Sequence, residues 1–348
     1  MQLSKEFRGA VQKLKLAQWM ARHKFSVAIR RNPAIARFGR FLRNKAKARQ
    51  LLKWIPVDAA EYREAYNRLG GSLAVHPDAV AILAEIRDVP VDYRVLKADG
   101  RTVAALPLWP EGIVGANATL KACGCQDIMD LGDGELILPL DASWALQQPM
   151  TVPGGAGMLS EVHQGELTGL SACELPMMLA RGHVSGLEPF SGATLSKRRR
   201  DLNKFLKDGG TISTFQDYSP AKLAAMYREI FLLQRGTPPP ASQHLERAFS
   251  GLSGLLHGHV LHMNGELAAM KLNFAMESPR ALIVVGVNGG VNPAYRDRYQ
   301  PGSILNYLNV KSAEERAVEK GLPLRFCFGW GDHAYKSDVC RGVTAWTC

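Results

Sequence analysis

The fold is decided by residues 281–328, where an apolar run, Ala281-Leu282-Ile283-Val284-Val285-Gly286-Val287, precedes Tyr299-Gln300-Pro301-Gly302-Ser303. The apolar run predicts a buried strand, and the second stretch predicts the start of a helix over residues 304–320 that Gly321 ends. Leu324-Arg325-Phe326-Cys327-Phe328 then predicts another strand. Strands and helices that alternate in this way are typical of α/β proteins.

A helix that begins near Gly302 and Ser303 is a candidate site for an anion. The first N–H groups of a helix have no intrahelical partners and carry partial positive charge, which suits a pyrophosphate. Gly302 would let the backbone approach such a ligand closely, and Ser303 would add a hydroxyl group. The alternative is that this stretch is a simple helix cap with no ligand.

Two similar hairpins lie 165 residues apart in the remaining sequence. Residues 95–104 and residues 260–269 each contain a strand, a two-residue turn and a second strand with small residues. The turns are Asp99-Gly100 and Asn264-Gly265, which strongly favour a tight hairpin. One such hairpin in each half of the body indicates an internal repeat.

Length and composition favour a globular protein of two domains. The chain has 348 residues, of which 46% are hydrophobic and 22% charged, so it can bury substantial cores. This composition excludes a disordered chain, a collagen and a small disulfide scaffold. We expect no membrane-spanning helix and no secretory signal, because long uncharged apolar runs are absent from the sequence. We also expect no metal site, because neither the cysteines nor His257, His259 and His262 have suitable ligand spacing. We expect one of these histidines to be partly buried and two to lie at the surface.

The net charge of +11 is unevenly distributed. Residues 1–53, here called the basic extension, hold 15 basic residues and one acidic residue, whereas the rest of the chain carries a net charge of −3. Apolar residues recur at helical spacing in this extension on both sides of Pro33, which predicts two basic amphipathic helices. Such helices bind anionic membrane surfaces. The alternatives are that the extension docks on the body of the protein or binds nucleic acid.

A second basic segment lies in the middle of the chain. Ser191-Gly192-Ala193-Thr194 precedes a stretch over residues 195–207 that predicts a capped helix rich in lysine and arginine. Arg198 and Arg199 could hold an anionic substrate or donor. The alternative is that they form a solvated helix face.

The order of these motifs resembles a known family. A basic Lys-Arg-Arg helix, a hairpin, the Pro-Gly-Ser helix start and a final Tyr-Lys are similar to GNAT-type acyltransferases of the CelD/BcsL group, and in detail to the Mig-14 proteins. The resemblance covers roughly residues 70–340 and excludes the basic extension. It rests on these stretches: His76-Pro77-Asp78, Lys197-Arg198-Arg199, residues 300–309, and Tyr335-Lys336 with Cys340.

The resemblance implies an α/β fold of two GNAT-like halves with mixed sheets and flanking helices, over residues 54–190 and 191–348. It also implies an acyl-CoA donor, most simply acetyl-CoA, with its pyrophosphate at the start of the Ser303 helix. Gln300, Gly302, Ser303 and Ile304 are then the donor-binding residues. The usual GNAT loop, Gln/Arg-x-x-Gly-x-Gly/Ala, is here reduced to one glycine that follows a proline.

The end of the last predicted strand is where we expect the reaction to take place. Acyl transfer needs a base that deprotonates the acceptor and a donor that stabilises the oxyanion. We predict Asp332 as the base, Tyr335 as the proton donor and Lys336 as a contact for an anionic group. The alternative is that residues 329–332 form only a turn and that Lys336 is a surface charge.

Three functions fit the sequence. The first is an acyltransferase peripheral to the inner membrane of a bacterium, which modifies an amine or hydroxyl of an envelope precursor or small molecule. The resemblance to the Mig-14 proteins implies a role in resistance to antimicrobial peptides. The second is a non-catalytic resistance or regulatory protein that uses the fold for binding. The third is a Fem-like transferase that takes its acyl group from aminoacyl-tRNA.

Overall fold

The structure is a computed structural model that describes residues 53–124, 134–153, 156–182, 191–239, 242–331, 336 and 339–348. The helices predicted for the basic extension lie outside the described residues. Trp54–Cys348 forms one compact unit. The predicted division of this unit at residues 190 and 191 stays a prediction.

The first part of the unit is built around a small antiparallel sheet of four strands that pair in chain order. The first helix begins directly after Asp58, because the Asp58 carboxylate accepts a hydrogen bond of 2.8 Å from the Glu61 N–H. The elements are β1 (Trp54–Pro56), α1 (Ala59–Leu69), α2 (Pro77–Arg87), β2 (Asp92–Ala98), β3 (Arg101–Trp109), β4 (Gly112–Ile113), α3 (Asn117–Ala122), α4 (Ala142–Gln147), β5 (Ser171–Ala172) and β6 (Met177–Ala180).

The second part contains most of the large sheet and the long helices. Its elements are α5 (Gly192–Lys207), β7 (Gly210–Thr214), α6 (Pro220–Arg235), α7 (Leu245–Gly251), β8 (His259–Met263), β9 (Glu266–Glu277), β10 (Leu282–Val291), α8 (Pro293–Tyr299), α9 (Pro301–Lys320), β11 (Leu324–Trp330), β12 (Cys340–Val343) and β13 (Trp346–Thr347). The helix predicted over residues 304–320 begins three residues earlier, because proline fits the first turn of a helix.

The large sheet has seven strands in the order β12-β6-β11-β10-β9-β8-β7. Strands β10 and β11 are parallel and are connected through α8 and α9, and the other neighbours in this sheet are antiparallel. Strand β6 inserts between β11 and β12, so residues 177–180 complete a sheet that is otherwise formed after residue 209. The predicted α/β class with mixed sheets and flanking helices is confirmed.

The two predicted hairpins form as β2-β3 and β8-β9. Asp99 and Asn264 both have positive φ angles, 49° and 52°, and each is followed by a glycine with positive φ. This is the backbone that a tight hairpin turn needs. Each hairpin also shifts register at the same point, between Leu96 and Lys97 and between Leu261 and His262. The shared irregularity supports the internal repeat.

Helix α9 packs along one face of the large sheet and fixes the position of its own first turn. Val310, Ala313 and Ala317 are buried against strand residues that include Phe326 and Phe328. Small residues at this helical spacing let the helix lie close to the sheet. No helix of the described residues is long and apolar enough to cross a membrane.

Candidate functional site

A cavity opens where the parallel strands β10 and β11 separate. Their pairing ends at Val285 and Cys327, although both strands continue beyond that point. The cavity has a volume of about 780 Å³ and is lined by residues 286–291, 328–330 and 300–303. A volume of this size accommodates a cofactor or a small ligand. The site therefore combines two diverging strand edges with the start of α9.

Glycines in β10 allow this strand to separate from β11 at this point. The strand has an irregular register against β9 between Gly286 and Gly289. A Cβ at Gly289 would lie 2.6 Å from the Met270 carbonyl oxygen, and one at Gly290 would lie 2.5 Å from the Ile230 carbonyl oxygen. Because these contacts are with backbone atoms, only glycine fits at both positions.

The start of α9 brings three of the four predicted donor-binding residues to the cavity. Gln300, Gly302 and Ser303 line it. Gln300 has a φ of 53°, and its carbonyl oxygen accepts hydrogen bonds from the N–H groups of Ser303 at 2.9 Å and Ile304 at 3.2 Å. The Gly302 N–H makes no hydrogen bond with the described residues. The Ile304 side chain does not line the cavity but packs in a core cluster with Phe205.

The predicted catalytic residues are only partly described. Lys336 lines the cavity, and its Nζ donates a hydrogen bond of 2.6 Å to the Trp330 carbonyl oxygen. Its exposed fraction is 7%, so it is not the surface charge considered as the alternative. Asp332 and Tyr335 lie outside the described residues, and their roles stay predictions.

Arg198 and Arg199, the predicted substrate-binding residues, do not line this cavity. Arg198 is buried and lies 3.5 Å from the Asp201 carboxylate on the same helix. Arg199 is exposed on α5. The sequence placed both on one functional surface, but consecutive helical residues point in different directions. The structure thus separates the two arginines from each other and from the cavity.

Lys271 is a cavity residue that the sequence prediction missed. Its Nζ donates a hydrogen bond of 3.2 Å to Asn306 Oδ1 on α9 and lies 3.6 Å from the centroid of the Phe328 ring. Burial lowers the pKa of the Lys271 amine to about 7; nearby Cys340 raises it and Lys336 lowers it further. The signal in the sequence was a single lysine inside the apolar strand β9.

The lining of the cavity is basic. Arg235 and Arg296 line it together with Lys271 and Lys336, and the described lining residues include no aspartate, glutamate or histidine. Such a lining attracts an anionic ligand. Within the described ranges, no group of three or more histidine, cysteine or acidic residues could hold a metal ion.

The mixed sheet, its diverging strands and the helix start define an α/β protein with a basic cavity at the separated strand ends. The chain belongs to the Mig-14 family, whose model matches residues 76–347. This match confirms the predicted resemblance to the Mig-14 proteins. No curated protein matches the chain significantly.

Several solved structures are similar to the chain at low sequence identity. The crystal structure of FemX has a TM-score of 0.47 and 10% identity, over 82% of this chain and 91% of that one. The structure of L-PGS from Bacillus licheniformis has a TM-score of 0.47 and 12% identity, over 83% and 90% of the two chains. A tandem GNAT protein from the clavulanic acid biosynthesis pathway has a TM-score of 0.40 and 14% identity, over 85% and 98%.

Proposed function

We propose that this protein transfers an acyl group from an acyl-CoA, most simply acetyl-CoA, to an amine or hydroxyl group. The observation that carries the proposal is the cavity between the separated ends of β10 and β11, with the first turn of α9 at its edge. The acceptor is a small molecule or an envelope precursor. The reaction would serve envelope modification and resistance to antimicrobial peptides in a bacterium.

The chemistry of the cavity fits both parts of such a donor. Strand edges that have separated offer backbone N–H and C=O groups, which can pair with the amides of an extended pantetheine arm. The Gly302 N–H at the helix start and the guanidinium groups of Arg296 and Arg235 suit the phosphates of CoA. No carboxylate of the described lining would repel them.

In the proposed reaction, the acceptor nitrogen or oxygen attacks the thioester carbonyl. A C–N or C–O bond forms, the C–S bond breaks, and the acceptor proton ends on the thiol of the released CoA. A backbone N–H at the diverging strand edges would stabilise the oxyanion. Lys336, held by Trp330, would contact an anionic group of the donor or acceptor.

Calorimetric titration of the full chain with acetyl-CoA and with CoA tests donor binding. Gly302→Trp should abolish binding, because an indole at this position would fill the edge of the cavity. Gly192→Trp is the matched control: Gly192 also lies in the first turn of a helix, and a Cβ there would meet nothing within 4 Å. Failure of the folded wild-type protein to bind either ligand would contradict the proposal.

A second pair of variants tests the charge of the cavity. Arg296→Ala should weaken CoA binding by about tenfold, a typical loss for one charge-assisted hydrogen bond. Arg298→Ala changes the same helix two residues further on, where Arg298 pairs with Asp208 instead of lining the cavity. An equal loss of CoA binding in both variants would mean that each substitution acts by destabilising α8.

The location we propose is the inner face of the cytoplasmic membrane, bound through the basic extension. This part of the proposal depends on the charge and the apolar spacing of residues 1–53. Donor binding without turnover would favour the non-catalytic alternative. Tight, salt-dependent binding of aminoacyl-tRNA with no CoA binding would favour the Fem-like alternative.

A further inference from the structure

Lys271 reaches from β9 to the point where β10 and β11 separate. It lies opposite Gly289 in the register of β9 and β10, but its side chain turns back along β10. Its Cε lies 3.2 Å from the position that a Cβ at Gly286 would take. Its Nζ ends over the ring of Phe328 on β11. The aliphatic part of the Lys271 side chain therefore follows β10, and its amine contacts β11.

The contacts of the Lys271 amine leave the lone pair of a neutral nitrogen available. One N–H donates to Asn306 Oδ1 at 3.2 Å, and the face of the Phe328 ring, with its centroid 3.6 Å away, receives another. A neutral amine then has its lone pair left to accept a proton. Among the described residues that line the cavity, no carboxylate or histidine competes for this role.

We infer that Lys271, in place of the Asp332 predicted from the sequence, is the general base of the proposed acyl transfer. The inference rests on the proposed function, because it assigns a residue to that reaction. The Lys271 Nζ accepts the proton of the acceptor amine or hydroxyl as the acceptor attacks the thioester carbonyl. When the C–S bond breaks, the same proton passes from Lys271 to the leaving thiolate, so that free CoA is released and the lysine is neutral again.

Burial and the nearby charges together set the pH at which Lys271 can act. Lys336 faces it from the segment after β11 and lowers its pKa, whereas the thiols of Cys327 on β11 and Cys340 on β12 raise it. Burial is the largest effect, and the pKa falls to about 7. Lys271 is therefore mostly protonated below pH 7 and mostly neutral above it, so the rate should rise with pH through this value.

Competitive labelling of the full chain with acetic anhydride tests the titration directly. Protein is labelled with trace reagent from pH 5 to pH 11, unfolded, fully acetylated with deuterated reagent and digested, and mass spectrometry gives the labelled fraction of each lysine. The labelled fraction of Lys271 should reach half its maximum near pH 7. The exposed Lys311 in the same digest serves as the reference lysine. Half-maximal labelling of Lys271 above pH 9 would overturn the inference.

Release of CoA from acetyl-CoA, with water as the acceptor, tests the role in catalysis. Lys271→Arg keeps the positive charge but cannot accept a proton at these pH values. Its rate of CoA release should therefore fall by about 100-fold or more, and the increase in rate near pH 7 should disappear. Lys311→Met is the control and should keep both. A Lys271→Arg variant with the wild-type rate and profile would overturn the inference, as would an acetyl group bound covalently to Lys271 during turnover.

Calorimetry on the same preparations separates this inference from the proposed function. If Lys271 is labelled only at high pH while acetyl-CoA still binds at the Gly302 edge, the assignment of Lys271 as the base is wrong, but the proposed donor site is supported. If no acetyl-CoA binds, the proposed function fails, whatever the titration of Lys271.

Discussion

The Arg325 guanidinium holds the Glu135 carboxylate with two hydrogen bonds, 2.7 Å from Nη2 to Oε2 and 3.1 Å from Nε to Oε1. The Glu135 side chain is fully buried, and Arg325 also donates to Ser160 and Glu161. Arg325 lies on β11, the strand whose last residues line the cavity, whereas its three partners precede β6 in the sequence. The ion pair therefore fixes β11 to a distant segment of the chain.

Removal of Glu135 should destabilise the protein strongly. Glu135→Ala leaves the Arg325 guanidinium without its main partner in a buried setting, which costs about 3–5 kcal/mol of unfolding free energy. Urea unfolding followed by circular dichroism measures the change. Glu315→Ala is the control, because Glu315 forms an exposed pair with Lys311 and should cost less than about 1 kcal/mol. Similar losses in the two variants would contradict the structural role of Glu135.

Gly290 should tolerate no side chain. A Cβ there would stand 2.5 Å from the Ile230 carbonyl oxygen of α6, and a backbone atom cannot rotate away. Gly290→Ala should therefore cost about 1–3 kcal/mol, because either α6 or β10 must shift. Gly254→Ala is the control: a Cβ at Gly254 would meet nothing within 4 Å, so we expect a change within about 0.5 kcal/mol. Thermal unfolding measures the midpoint temperature of each variant. Equal midpoints for Gly290→Ala and Gly254→Ala would refute the close contact of α6 with β10.

Local patterns were sufficient to predict much of the fold. The Asp99-Gly100 turn and the Gly321 stop act through hydrogen bonds and dihedral angles within a few residues, and the structure has both. The position of β6 could not be predicted in this way. Its four residues pair with β11 and β12, which follow more than 140 residues later, and no local signal specifies such a pairing.

The candidate site was predictable only where one segment forms it. Gly302 and Ser303 were found because a helix start is visible in the sequence. Lys271 was missed because its role depends on burial and on contacts with Asn306 and Phe328, which other elements supply. Burial also made the histidine prediction wrong in part. We expected two of the three histidines near β8 at the surface, but His257 is buried and the other two are half-buried.

His257 should make stability depend on pH. Burial lowers its pKa from 6.5 to about 4, while the Asn309 carbonyl opposes this shift and Arg316 and His259 add to it. Between pH 6.5 and pH 4 the unfolded chain therefore binds a proton at this site and the native protein does not. Stability is fully present above pH 6.5 and falls as the pH decreases, by up to about 3 kcal/mol at pH 4.

Urea unfolding of the wild type and of His257→Gln from pH 4 to pH 7 measures this dependence. The variant should lose the part of the slope that His257 supplies. It should also be less stable than the wild type at pH 7, because the Ser312 hydroxyl loses its contact with Nε2, 3.2 Å away, and keeps its hydrogen bond to the Asn309 carbonyl. His244→Gln controls for the change of residue type. Equal slopes in the wild type and His257→Gln would show that the buried imidazole does not resist protonation.

The basic extension should bind anionic membranes through its charge. Arg40, Arg43, Lys45 and Lys47 follow Pro33 in the second predicted amphipathic helix, and each basic residue near an anionic surface contributes about 1 kcal/mol. Neutralising all four with glutamine in the full chain should reduce binding to phosphatidylglycerol vesicles by about 100-fold or more, as measured by sedimentation. The control neutralises four exposed basic residues of α5, namely Lys197, Arg199, Arg200 and Lys207. If the control loses as much binding as the first variant, net charge alone governs attachment and the extension is not the membrane-binding segment.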